Sequence, residues 1–216
     1  MKVAFTAFVA AVPSLLGLSP AAAAPLKVRA SVEAAPCVAA AAAAYGGAIT
    51  VETGALRDPV PADVLVGSGV EVARALEGGD AVVGSEEQVA RIPWVLSVPA
   101  GNPMGIAGLA DLARPGIEVA VLGGQASYEA RRALAEHRAG RVRESRDGGA
   151  LRRAPVALIP LSLAGNGEKL AVDVPAVPIG AAVSVRATRA DEARAFVSFL
   201  ASEKGQAAFA GCTGAQ

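Results

Sequence analysis

The chain is poor in the groups that carry most chemistry. It holds one histidine, His137, set between Glu136 and Arg138 on a charged stretch where a solvated surface histidine is the expected role. With one histidine and two cysteines the metal-ligand spacings are missing, and no Gly-x-Ser-x-Gly elbow presents a serine nucleophile. Those absences argue against an enzyme, and no cofactor is implied. Lys plus Arg number 20 and Asp plus Glu number 20, so no excess of one sign recommends nucleic acid or an anionic membrane as a partner. The one long apolar run, Val3 to Leu18, is shorter than the roughly 20 residues a membrane span needs.

What is present begins with that run. Lys2, the apolar stretch, Ser19-Pro20 and the following alanines read as the charged, hydrophobic and small-residue regions of a secretory signal peptide over residues 1–23. The mature chain is then expected to be exported, periplasmic and not inserted in the membrane. In an oxidising compartment Cys37 and Cys212 could join the two ends of the chain, stabilising it by roughly 4 kcal/mol; two buried, unpaired thiols are the alternative.

Strands and helices alternate along the mature chain. Leu26 to Ala30 predicts a strand, with Ser31 as the N-cap of an alanine-rich helix to Tyr45. Strands follow at 48–52 and 63–66, and Gly67-Ser68-Gly69 turns into a helix over 70–76. Ile92 to Val98, IPWVLSV, reads as one buried strand, and Val177 to Val185 has the same character. Between them Ile117 to Leu122 is a strand, and Gly123-Gly124-Gln125-Ala126-Ser127-Tyr128 opens a helix to about His137. Arg141 to Arg153 reads as an exposed loop with a short helix. Val156 to Pro160 is a strand that ends at Leu161-Ser162. Asp191 to Ala201 is an amphipathic helix, and Thr188 with Asp191 approximates its capping box.

Two junctions in this pattern are built alike: a strand, small residues, then a helix start at Ser31 and at Gly124–Ser127. Free N–H groups there would offer positive helix ends to an anion. The class is α/β, with two lobes each built on a mostly parallel sheet flanked by helices and joined by two crossover strands. The expected boundaries are 24–96 with 178–216 for lobe 1 and 97–177 for lobe 2.

At this point the sequence resembles the type II periplasmic solute-binding proteins of ABC importers, nearest the molybdate-binding subgroup. The resemblance rests on Ala30-Ser31, Pro61-Ala62-Asp63-Val64, Val95 to Pro99 with Gly101-Asn102-Pro103, Leu109 to Leu112, Pro115-Gly116, and Ala195 to Leu200 with Gly205-Gln206. It implies an oxyanion or small organic acid held by hydroxyls and N–H groups, without a neutralising arginine, and an ABC permease as partner for a monomeric binding protein. By position it implies Ser31, Thr53, the turn of Gln125, Ala126, Ser127 and Tyr128, and Ser162 as ligand-binding residues; Asp63 and Asp111 fall on structural positions. Thr53 to Pro61 is too short for the helix the family usually carries there. That trimming leaves an alternative, a non-transport periplasmic accessory or sensory protein of the same fold that docks on a protein partner.

Overall fold

The computed structural model describes residues 24–58 and 61–214. The signal peptide reading of residues 1–23 lies outside the described residues.

The first sheet contains β1 (Leu26–Ala30), β2 (Ile49–Thr53), β3 (Val64–Ser68), β4 (Glu87–Ile92) and β10 (Val177–Val183), in the order β2-β1-β3-β10-β4. The second contains β5 (Trp94–Val98), β6 (Glu118–Leu122), β7 (Arg141–Ser145), β8 (Ala157–Pro160) and β9 (Glu168–Ala171), in the order β7-β6-β8-β5-β9. In each sheet one strand, β10 or β5, runs antiparallel to both neighbours while the others share a direction. The helices are α1 (Ala35–Tyr45), α2 (Gly69–Glu77), α3 (Tyr128–Glu136), α4 (Gly148–Arg153), α5 (Ala190–Ala201), α6 (Glu203–Ala208) and α7 (Ala210–Thr213).

The apolar run 92–98 is two strands in two sheets. Pro93 has no N–H to give to a ladder and interrupts the run. Ile92 pairs with Val177 in the first sheet, while Trp94 pairs with Pro160 in the second. The first passage between sheets therefore falls at Pro93, upstream of the expected boundary at 96/97. The return runs through 172–176, and β10 itself belongs wholly to the first sheet. The charged segment 141–153 is also more ordered than its composition suggests. β7 lies at a sheet edge parallel to β6, and Glu118 on β6 pairs with Arg141 and Arg143. An edge strand needs only one hydrogen-bonded neighbour, and charges on it discourage pairing with another molecule.

Lobe 1 is closed by contacts from distant parts of the chain. α5 buries Ala193, Phe196, Val197 and Leu200, the face its amphipathic spacing predicts. Its N-cap is Arg189 and no side chain caps it; Thr188 instead donates its hydroxyl to Asp63, so the expected Thr188–Asp191 box does not form. Burial of Asp63 works against its ionisation. It is outweighed by N–H bonds from Lys27, Thr188 and Arg189 and by the Thr188 hydroxyl, which hold the carboxyl below its usual range. This carboxylate thus ties β1 to the segment that leads into α5. Cys37 on α1 and Cys212 on α7 form a disulfide with a Cα–Cα distance of 5.9 Å, fixing the C-terminal helices against the first helix.

The described residues of the connection after β2 bury one large apolar side chain. Leu56 is buried in a satellite cluster with Ala62, Leu65, Val72, Ala75, Ala81 and Ala182, and Arg57 pairs with Asp80 at 3.3 Å. A few residues thus cover an apolar surface that would otherwise face water.

Candidate functional site

Parallel strands deliver their carboxyl ends, and the turns that follow them, to one edge of a sheet. Here β1 and β2 of the first sheet and β6 of the second open onto a common cleft of about 540 Å³. Its lining includes Ser31, Glu33 and Thr53 from the first lobe, with Glu71 and Arg74 from α2, and Gly123–Ala126 and Arg146 from the second. The turn at 125–127 packs against α2, so the two lobes touch beside the cleft.

The start of α1 is not where its sequence suggests. Residues 32–34 form a turn and the helix begins at Ala35, with Ala34 at the N-cap and Pro36 in the first turn. Ser31 is the last residue of the approach. Its N–H bonds to the Val66 carbonyl at 2.9 Å, and its carbonyl accepts from Ala34 and Ala35. Its hydroxyl is thereby released from capping. It is buried, with Ser31 only 3% exposed, and has no hydrogen-bond partner. A buried polar group left unpaired is costly, which makes such positions candidates for function.

The opposite turn is shaped by Gly124. Its φ of 111° and ψ of −174° lie in a region open essentially to glycine alone. Arg131 on α3 donates to the Gly124 carbonyl at 2.7 Å and braces the turn. A short 3₁₀ turn, Gln125–Ser127, then leads into α3. The Ser127 hydroxyl is fully buried, caps nothing and has no hydrogen-bond partner. Each lobe thus contributes one orphaned serine hydroxyl from the turn after a parallel strand.

Of the residues singled out from sequence, Ser31, Thr53, Gln125 and Ala126 line the cleft. Ser127 belongs to the same turn but is enclosed. Tyr128 is 62% exposed and is not among the lining residues. Ser162 donates its hydroxyl to the Glu33 carbonyl at 2.7 Å, so it positions a cleft residue across the lobe boundary rather than lining the cleft itself.

Four charged lining residues were not anticipated. Arg74 and Arg146 bring cations where the resemblance implies none, and Glu33 and Glu71 bring carboxylates. Glu71 sits at the third position of α2 and completes a capping box with Ser68, accepting the Ser68 hydroxyl at 2.8 Å and its N–H at 3.1 Å. The Ser-x-x-Glu spacing marks that helix start in the sequence, but nothing in it says that the carboxylate also faces a cleft. Glu33 is only 2% exposed and its Oε1 has no partner. Burial pushes its carboxyl up to about 7, and the negative charge of Glu71 and a side-chain hydrogen bond with it add to the rise, against its own N–H and the Ser31 hydroxyl, which favour the ionised form. Its signal in the sequence was weak, since an acidic residue beside a helix start is ordinarily explained by the helix dipole.

A model of the bacterial extracellular solute-binding protein family matches residues 20–147. The chain belongs to that family. Among solved structures it is similar to the sulfate-binding protein SubI from Mycobacterium tuberculosis H37Rv (18% identity, 88% of this chain and 85% of that one, TM-score 0.70). It is also similar to the periplasmic molybdate-binding protein of Azotobacter vinelandii (16%, 87% and 97%, 0.66) and to Peb3 from Campylobacter jejuni (17%, 87% and 98%, 0.66). At these identities the likeness establishes the fold, which is the two-lobed binding-protein architecture. No curated protein sequence matches the chain. No helix among the described residues is long and apolar enough to cross a membrane.

Proposed function

We propose that the chain is an exported, periplasmic binding protein that captures a small anion between its lobes, as a monomer, and delivers it to an ABC importer. The observation that carries this reading is the Ser31 hydroxyl, buried, unpartnered and lining a cleft formed by both sheets. Ser127 has a buried, unpartnered hydroxyl as well, enclosed in the turn of the opposite lobe whose Gln125 and Ala126 line the cleft. Helix starts and neutral donors favour anions, and Arg74 and Arg146 add charge of the right sign. Thr53, Gln125 and Ala126 complete the proposed contacts. The sulfate and molybdate named for two similar structures support an oxyanion or a comparably small organic acid as the solute class. Family membership favours binding over catalysis. The lobes in this reading are 24–92 with 177–214, and 94–171, hinged at the two passages.

A thermal-shift panel of molybdate, tungstate, sulfate, phosphate and small carboxylates tests the proposal. A true solute at a hundredfold excess over its Kd is expected to stabilise the protein by about 2.7 kcal/mol, a rise of roughly 5–10 °C for a chain of this size. A flat panel would contradict anion capture and favour docking on a protein partner.

A further inference from the structure

An anion site with two carboxylates in its wall poses a chemical problem. Glu33 and Glu71 both line the cleft with their carboxyls close enough to interact directly, and Oε1 of Glu33 is buried without a partner near the Ser31 hydroxyl. One Glu71 oxygen is committed to Ser68. Arg74 on α2 and Arg146 from the other lobe are the cations that face the same space. A fully deprotonated oxyanion would bring further negative charge to this pair and offer Glu33 no hydrogen.

Resting on the anion-capture reading, we propose that Glu33, with Glu71 beside it, sets which anion the cleft accepts: one that carries its own hydrogen-bond donor, a protonated oxyanion or a hydroxy acid, in preference to a bare oxyanion. The solute's O–H donates to the orphaned Glu33 oxygen while its negative oxygens meet the Ser31 hydroxyl, the N–H groups of the 124–127 turn and the arginines. A binding site built to pair with a solute hydroxyl rejects the analogue without it strongly, because its own buried polar atom is then left unpaired. The same pairing explains why burying a carboxylate here is tolerated. Acid shifts the balance: as Glu33 gains a proton it becomes a donor itself, and bare oxyanions become acceptable.

Titration calorimetry with two matched pairs tests this: inorganic phosphate against sulfate, and glycolate against acetate. At about pH 8 hydrogen phosphate carries one O–H and sulfate none, while Glu33 is mostly ionised. The wild-type protein is expected to bind the donor-bearing member of at least one pair about a hundredfold tighter or more. In Glu33→Gln, and in Glu71→Gln where the capping box can survive, that ratio should shrink at least tenfold. Sulfate binding to the wild type should strengthen as pH falls toward about 6, and Glu33→Gln should lose that dependence. Equal or tighter binding of sulfate and acetate at about pH 8, or an unchanged ratio in Glu33→Gln, overturns the role of Glu33 and leaves anion capture standing. Failure of all four anions to bind either the wild type or Glu33→Gln overturns the role of Glu33, and anion capture falls with it only if molybdate and tungstate also fail to bind.

Discussion

Replacing Cys37 and Cys212 together by alanine is expected to lower the unfolding free energy by about 3–5 kcal/mol. The two residues are 175 apart in sequence, so the bond closes nearly the whole described chain into one loop. In the chain-entropy model a loop of that size restricts the unfolded ensemble by about 5 kcal/mol, and strain can only reduce the figure. The native state adds a reason for the effect to be felt locally. α7 is one turn long and has no fully buried residue, and the bond is its covalent link to the fully buried Cys37 on α1. Denaturant unfolding of the double variant against the oxidised wild type measures the difference. A loss below about 1 kcal/mol would mean that the C-terminal helices hold their place through packing alone and that the unfolded chain is already compact.

Glu33→Gln is expected to stabilise the protein at about pH 8 by about 3 kcal/mol while changing little near pH 4. In the native protein burial and Glu71 hold the Glu33 carboxyl near 7, against an ordinary value of 4.5. Below 4.5 both the native and the unfolded chain keep the proton, and the residue costs nothing. Between 4.5 and about 7 the unfolded chain releases it while the native one still binds it, so stability falls as pH rises through that window. Above about 7 both forms are ionised and the full penalty, about 3 kcal/mol for the difference between the two values, is present. A glutamine of nearly the same shape removes the charge and with it the slope. Melting temperatures of the two proteins across about pH 4 to 8 should converge in acid and diverge in base; parallel curves would contradict a buried carboxyl held above its ordinary range. Stability given up at a residue that lines a cleft is what selection for binding rather than for folding leaves behind.

The large features of the fold were legible because hydrophobic period and turn chemistry report on burial. The alternation of strand and helix, the amphipathic face of α5 and the glycine turn after β6 all follow from local spacing. Long apolar runs were harder, because a run buried on both faces has no period to mark its interior. Pro93 was the one residue that signalled the change of sheet inside 92–98. The strand at 141–145 was masked by its charge, which at an edge is protective rather than disruptive. In the cleft, Ser31, Thr53, Gln125 and Ala126 were readable from their places at strand ends. Glu33, Glu71, Arg74 and Arg146 were not, since each has an ordinary local explanation and only tertiary structure brings them together. Ser162 follows the expected strand, and its hydroxyl is donated to the Glu33 carbonyl, a tertiary contact that local spacing does not report.

Capture requires two turns, one from each lobe, to meet at a shared solute, with the Ser31 hydroxyl in the cleft wall and the enclosed, unpaired Ser127 hydroxyl beside it. Titration calorimetry of Ser31→Ala and Ser127→Ala, singly and together, with the anion that gives the largest thermal shift tests it most directly. Each loss of a hydrogen bond to a charged ligand is expected to weaken binding roughly 10- to 100-fold. Unliganded Ser127→Ala should be as stable as the wild type, since that hydroxyl has no partner to lose, and Ser31→Ala gives up only the hydroxyl's support of the Glu33 carboxylate. Wild-type affinity in the double variant would contradict the account and move the site elsewhere.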